Sequence, residues 1–391
     1  MKNQLVLILC LSAGLCAKAH TQTSSLSVEE NSKASTSNSA IAYVYVSGTP
    51  AGASANEIEA FSAAPDGKLT PVAGSPFQGN VTDMVVNGKY MFAANSNGFD
   101  IDSYRIESDG ALVYATSTNT FQSGDCNTLG PLVLDHTGAS LYDMDFDGSD
   151  CANNTYLSFA VNKSTGGLKA LGNSSANDWL YLPVSFIGNN VFAYTASCLG
   201  NMYWGIYGFE RNSEGLLTEI DIGATPPKPP AGDFYCPSQA AADPTNHVVL
   251  SMQAVNSQFN PDGEPQLATY TADAKGNLST TSTDSNMAKT SVVSVTDLSM
   301  SPSGKLLAVA GTSGLEVFHF NGSDPVTHYT TVLTHNEIDQ MFWDNENHLY
   351  AISRTVGKLY VFTLTPTHYS EAPGSPYTVS HPQNIAVQPV P

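Results

Sequence analysis

A short apolar strand recurs seven times along this chain of 391 residues, and that repeat limits the possible fold more than any other feature. The copies are Tyr43-Val-Tyr-Val46, Tyr90-Met-Phe-Ala93, Leu141-Tyr-Asp-Met144, Val191-Phe-Ala-Tyr194, Val248-Val-Leu-Ser251, Leu306-Leu-Ala-Val309 and Leu349-Tyr-Ala-Ile352, spaced 43 to 58 residues apart. Each is followed by a second strand with an apolar residue three positions before an aromatic one, from Ile58…Phe61 through to Leu359…Phe362. Five copies then show Gly-x-Leu, at Leu69, Leu112, Leu168, Leu217 and Leu278, after turns such as Asp66-Gly67 and Asp109-Gly110. Glycine there supplies the positive φ of a tight hairpin. One further apolar strand precedes most copies, as Met84-Val85-Val86 does before Asn87-Gly88.

Four short antiparallel strands per unit, repeated seven times, specify an all-β, seven-bladed β-propeller. A sandwich or jelly roll lacks such a repeat, and a solenoid would need a shorter unit with capping ends. Copy one begins with its second strand, whereas Gln383-Asn-Ile-Ala-Val387 follows copy seven as a strand without a unit. Blade one is therefore expected to be closed by the C-terminal strand, which leaves no exposed innermost edge.

Residues 1–19 have a basic start, the apolar run Leu5–Leu11 and a terminal Ala17-Lys18-Ala19. This pattern reads as a cleavable signal peptide, too short to span a bilayer. A lipoprotein would need a small residue before the acylated cysteine, but Leu15 precedes Cys16. Residues 20–40 are rich in Ser, Thr and Asn and read as a flexible leader, with the propeller occupying 41–391. The expected location is the periplasm or outside the cell.

The formal charge of −20 becomes −22 when Lys2 and Lys18 leave with the signal. Arginine occurs only at 105, 211 and 354. Such a surface repels nucleic acid and anionic lipid, and no later apolar run is long enough for a membrane span. The expected partners are a small-molecule lactone or sugar, or an extracellular protein or glycan, bound by a monomer. Four cysteines remain after export: Cys126, Cys151, Cys198 and Cys236. An even number in an exported chain reads as two disulfides, and no Cys-x-x-Cys pair points to zinc. Three connectivities are open, with adjacency favouring Cys126–Cys151 and Cys198–Cys236.

With strands named a to d outward from the axis, the a–b and c–d loops lie on one face and are tight. The d–a and b–c loops lie on the other and are long, as in Gly48–Asn56, Pro227–Ser238 and Asn256–Pro265. All four cysteines are expected in loops of this second face, where long loops on a rigid scaffold usually carry function.

The blade pattern, and especially Ala73-Gly-Ser-Pro-Phe77 echoed by Ala372-Pro-Gly-Ser-Pro-Tyr377, resembles the lactonase-type seven-bladed propellers. That family includes bacterial 6-phosphogluconolactonase and carboxymuconate-lactonising enzymes, and the resemblance covers about residues 41–389. Family members commonly place Pro-Arg or histidines at the start of strand a. The corresponding positions here are Asn384, Asp83, Pro131, Pro183, Gln239, Asp297 and Gln340, with no arginine among them. A phosphorylated or carboxylated lactone would want cations to hold its anion, and this channel mouth is neutral to acidic.

Two constellations could carry chemistry. His335, Glu337, Arg354 and His381 fall on the long-loop face around the seam between blades seven and one. A histidine base, an orienting carboxylate and an arginine beside an oxyanion could hydrolyse a lactone; equally, they are common solvated loop residues. Asp143, Asp145, Asp147 and Asp150, with Gly148, match the start of a calcium loop, although Asn154 stands where a closing glutamate belongs. No cofactor is required; Ca2+ is the one candidate. The leading expectation is a binding scaffold using the long-loop face, and the alternative is a lactone hydrolase.

Overall fold

The strands form because β-branched, aromatic and small apolar residues alternate in short runs bounded by Gly, Asn and Asp turns. The computed structural model describes residues 39–50, 52–53, 56–120, 125–147, 153–174, 180, 182–199 and 203–390. Among the described residues there is no helix, and no segment is a helix long and apolar enough to cross a membrane.

Seven antiparallel sheets follow one another around a ring, and the chain is a seven-bladed β-propeller. The innermost strands of blades two to seven are Val81–Val86, Asp125–Leu134, Ser185–Phe186, Phe234–Ala242, Val295–Met300 and Gln340–Trp343. Blade one takes its innermost strand, Pro382–Pro389, from the C-terminus. It pairs antiparallel with Ala42–Gly48, matching Val44 with Val387 and Val46 with Ile385.

The core lies between the blades rather than within any one of them. In a strand successive side chains point to opposite faces, so Tyr43 and Tyr45 pack against blade two while Val44 and Val46 pack against blade seven. Seven separate apolar clusters result, one at each seam, and this completes the ring. Because both faces of a blade are covered, Ala42–Gly48 is buried throughout instead of alternating.

Hydrogen bonds between blades fix the spacing. The Tyr45 hydroxyl donates to the Gly110 carbonyl at 3.0 Å, Tyr142 to Gly215 at 2.8 Å and Tyr194 to Gly276 at 2.9 Å. Each of these three strand-b tyrosines thus caps the c–d turn of the following blade. The Ala-Gly-Ser-Pro and Pro-Gly-Ser-Pro motifs turn strand d back toward strand c. There the Ser75 hydroxyl accepts the Ala60 N–H at 2.8 Å and Ser375 accepts that of Val361 at 2.9 Å. The short returns Phe77–Gln78 and Tyr377–Thr378 then pair with strand c.

Cys198 and Cys236 form a disulfide with a Cα–Cα distance of 5.3 Å. Contrary to the expectation of loop positions, both stand in strands, Phe192–Leu199 and Phe234–Ala242, because those strands run further toward the long-loop face than their apolar cores. The bond ties blade four to blade five. Cys126 lies in the strand Asp125–Leu134, and Cys151 falls outside the described residues.

Candidate functional site

Strand a of each blade pairs on one side only, with strand b, so its other edge faces the channel with unpaired backbone groups. The aligned ring positions meet part of that need. Asp297 Oδ2 in blade six accepts the Met341 N–H of blade seven at 2.7 Å, and Gln340 Oε1 in blade seven accepts the Ile385 N–H of blade one at 2.8 Å. Asn384 Nδ2 in blade one donates to the Thr82 carbonyl of blade two. Asp83 Oδ2 in blade two accepts the Leu132 N–H of blade three at 2.6 Å. A continuous chain of side-chain links therefore runs from blade six through seven, one and two to three. It needs acceptors and amides, which accounts for the carboxylates and amides at these positions.

The run stops where the ring positions become Pro131 and Pro183, which carry no polar side chain. Blade four instead uses Ser185, whose hydroxyl accepts the Ala242 N–H of blade five at 2.8 Å. Gln239, the ring residue of blade five, lines the channel, and its side-chain amide makes no hydrogen bond to any described residue. It is the polar ring member whose side chain makes no link to the next blade among the described residues.

The channel encloses a cavity of about 870 Å³. Both ring carboxylates line this cavity and are half-buried. Burial pushes Asp297 up to about 7, against the lowering effect of the Met341 and Leu298 N–H groups. Burial pushes Asp83 up to about 6, opposed by the Leu132 and Met84 N–H groups and by the Arg354 charge. Arg354 is the one cationic side chain in the described lining, against Asp83, Asp297 and Asp339. Its Nε and Nη2 both donate to the Gln383 carbonyl, at 3.0 and 2.6 Å, and its backbone N–H donates to Asp339 Oδ2 at 2.8 Å. A looser ion pair joins Arg354 Nε to Asp339 Oδ1 at 3.8 Å. The guanidinium is anchored at the rim with donors remaining.

The seam residues separate. Arg354 lines the channel, whereas His381 Nδ1 lies 3.0 Å from the Thr49 carbonyl with its own backbone at φ 44°. His335 is exposed and Glu337 half-buried. No hydrogen bond or ion pair among the described residues joins any two of the four. The carboxylate beside Arg354 is Asp339, two positions beyond Glu337 in the same loop. Its sequence signal was adjacency to the ring residue Gln340.

Asp143, Asp145 and Asp147 sit in one continuous strand, Ser140–Asp147, opposite Leu157, Thr155 and Asn153 of its neighbour. Asp143 is fully buried, the side chains of Asp145 and Asp147 and all of Asp150 lie outside the described residues, and no metal-holding group of His, Cys, Asp and Glu occurs among those described.

No sequence-family model matches the chain, nor does any curated protein. Solved structures do. A periplasmic gluconolactonase of Pseudomonas aeruginosa aligns over 90% of this chain and 99% of its own, with 14% identity and a TM-score of 0.62. A provisionally named 6-phosphogluconolactonase of Bacteroides fragilis aligns over 90% and 99%, with 14% identity and a TM-score of 0.61. A second protein so named, from Bacteroides uniformis, gives 89% and 99%, 14% identity and 0.61. The fold is that of the lactonase-like seven-bladed propellers.

Proposed function

We propose that this lactonase-like propeller is an exported monomer that binds a small, uncharged, hydrogen-bonding ligand, of the lactone or sugar class, at the long-loop mouth of its channel. The observation that carries this reading is the lining. One anchored guanidinium, three carboxylates and the unpaired Gln239 amide surround a cavity large enough for a small molecule. A dianionic phosphate would meet one cation and net negative charge, whereas hydroxyl and carbonyl groups find both donors and acceptors. Export is supported by the signal-like residues 1–19 and by the Cys198–Cys236 bond, since disulfides persist in oxidising compartments.

The test is calorimetric titration of the purified protein with gluconolactone and 6-phosphogluconolactone. Binding of the neutral compound, weakened about tenfold or more in Gln239→Ala, is the expected result. Absence of binding by either, or preference for the phosphorylated one, overturns the reading.

Hydrolysis is the second reading, favoured by a carboxyl group that titrates near neutrality inside the channel. Lactone turnover that falls in Asp297→Asn would assign the base to the ring. Turnover that falls in His335→Ala and His381→Ala would assign it to the seam with Glu337 and Arg354. No turnover removes this second reading.

A further inference from the structure

An antiparallel strand turns successive N–H groups to opposite sides, so strand a points them by turns at strand b and at the channel. Asp344 and Ser301 donate theirs to the His348 and Leu306 carbonyls of strand b, so Met341 and Leu298 turn theirs inward. The same count applies in blades four and five. Ile187 and Asp243 donate to the Phe192 and His247 carbonyls, which leaves the Val184 and Ala240 N–H groups pointing into the channel. Each of these inward donors follows directly on a ring position: Gln340, Asp297, Pro183 or Gln239.

Where the ring residue is an aspartate, one carboxyl group serves inward donors of two neighbouring blades. Asp297 accepts the Met341 N–H of blade seven at 2.7 Å and takes that of Leu298 in its own blade. Asp83 serves Leu132 of blade three and Met84 of its own blade in the same way. Pro183 stands where such a carboxyl group would join Val184 of blade four to Ala240 of blade five, and it carries no acceptor. Neither N–H makes a hydrogen bond to any described residue. Val184 and Ala240 both line the main cavity beside Gln239. A backbone donor left at a cavity wall calls for an acceptor from outside the chain. The Ser185–Ala242 hydrogen bond and the Cys198–Cys236 disulfide hold the two blades together, so these donors are in place before a ligand arrives.

We propose that the ester group of a neutral lactone takes the place of the carboxyl group that Pro183 lacks. Its carbonyl oxygen accepts from the N–H groups of Val184 and Ala240, with the Gln239 amide beside it. A lactone carries two oxygens on one carbon, as a carboxyl group does, without the charge that Asp83, Asp297 and Asp339 would repel. A sugar hydroxyl fits less well, since it brings a hydrogen of its own to a place that offers adjacent donors. This rests on the reading that the channel mouth takes a small neutral ligand, and it narrows that ligand from the lactone or sugar class to a lactone.

The experiment is calorimetric titration of the purified protein with three compounds. They are gluconolactone, gluconate, and anhydroglucitol, which keeps the ring and hydroxyls but has a methylene in place of the carbonyl. Gluconolactone is expected to bind about tenfold or more tightly than either of the others. Pro183→Asp supplies the carboxyl group that Asp83 and Asp297 supply elsewhere, and it should weaken gluconolactone binding about tenfold relative to Pro183→Ala. Pro183→Asn, which adds a neutral acceptor, should act in the same direction and replaces the aspartate variant if that does not fold. Equal binding of gluconolactone and anhydroglucitol, or equal binding by the acceptor-bearing and alanine variants, overturns the carbonyl site and leaves the channel-mouth reading standing. Gluconate binding most tightly overturns the neutral ligand. No binding by any of the three removes both readings.

Discussion

Asp297 holds the backbone N–H of Met341 at 2.7 Å across the seam between blades six and seven, and the same burial that makes this link possible raises the carboxyl to about 7. The fold therefore keeps a proton on Asp297 that the unfolded chain, with a carboxyl near its ordinary value, releases at much lower pH. Between about pH 4 and 7 the folded state binds more protons than the unfolded one, so stability falls as pH rises. Asp83, raised to about 6, adds to the same slope over a narrower window. Asp297→Asn retains an acceptor for Met341 and removes the ionisation. It is expected to be more stable than the wild type at pH 8 by about 1 kcal/mol, after allowing for screening by channel water, and to lose that advantage at pH 4. Urea titrations of both proteins at the two pH values measure this; an advantage equal at both contradicts it.

The latch between blades four and five gives a paired prediction. Tyr194→Phe removes one donor and leaves the Gly276 carbonyl buried without it, at a cost of about 1–2 kcal/mol. Gly276→Ala should cost more, about 2–4 kcal/mol. Its φ of +82° is strained for alanine, and the added methyl would stand 2.7 Å from Phe192 and Ile220 side-chain atoms. Denaturant midpoints rank the two variants, and the reverse order would mean that the turn shifts freely.

Replacing both Cys198 and Cys236 by alanine opens a loop with a sequence separation of 38. The expected loss is about 2–4 kcal/mol, seen as a melting midpoint lowered by several degrees. Adding reductant to the wild type should lower it at least as far. A midpoint unmoved by either treatment would mean that the bond adds no constraint.

Chelation should leave the melting midpoint where it is. Alternate residues on a strand are about 7 Å apart, too far for Asp143, Asp145 and Asp147 to close around a cation with ligands at about 2.3–2.6 Å while Ser140–Asp147 keeps its ladder. A midpoint that drops in EDTA and recovers with added calcium would show that this segment rearranges to bind the ion.

The repeat revealed the blades because a seam-packing strand needs apolar residues on both faces, and such runs stand out against turn chemistry. The C-terminal closure was legible for the same reason: copy one lacked a strand and Gln383–Val387 supplied it. The ring positions were also located by register, yet their work was not. Asp83, Asp297 and Gln340 look like channel-mouth binding groups in sequence, but they spend acceptors on the next blade, because an inner edge leaves N–H groups that nothing in the repeat announces. Asp339 was missed in favour of Glu337, since which loop residue turns inward depends on loop geometry rather than on residue type.

Near the two ends of the propeller the Val390 N–H donates to the Ile41 carbonyl at 2.8 Å. Position along the chain and position around the circle are thus nearly independent. A rearranged gene that fused these neighbours through a brief linker and opened a surface turn elsewhere would encode the same wheel with a different starting spoke. Blade one would then be made from a single uninterrupted stretch of polypeptide, and the join now made by two distant strands would move to whichever blade was cut.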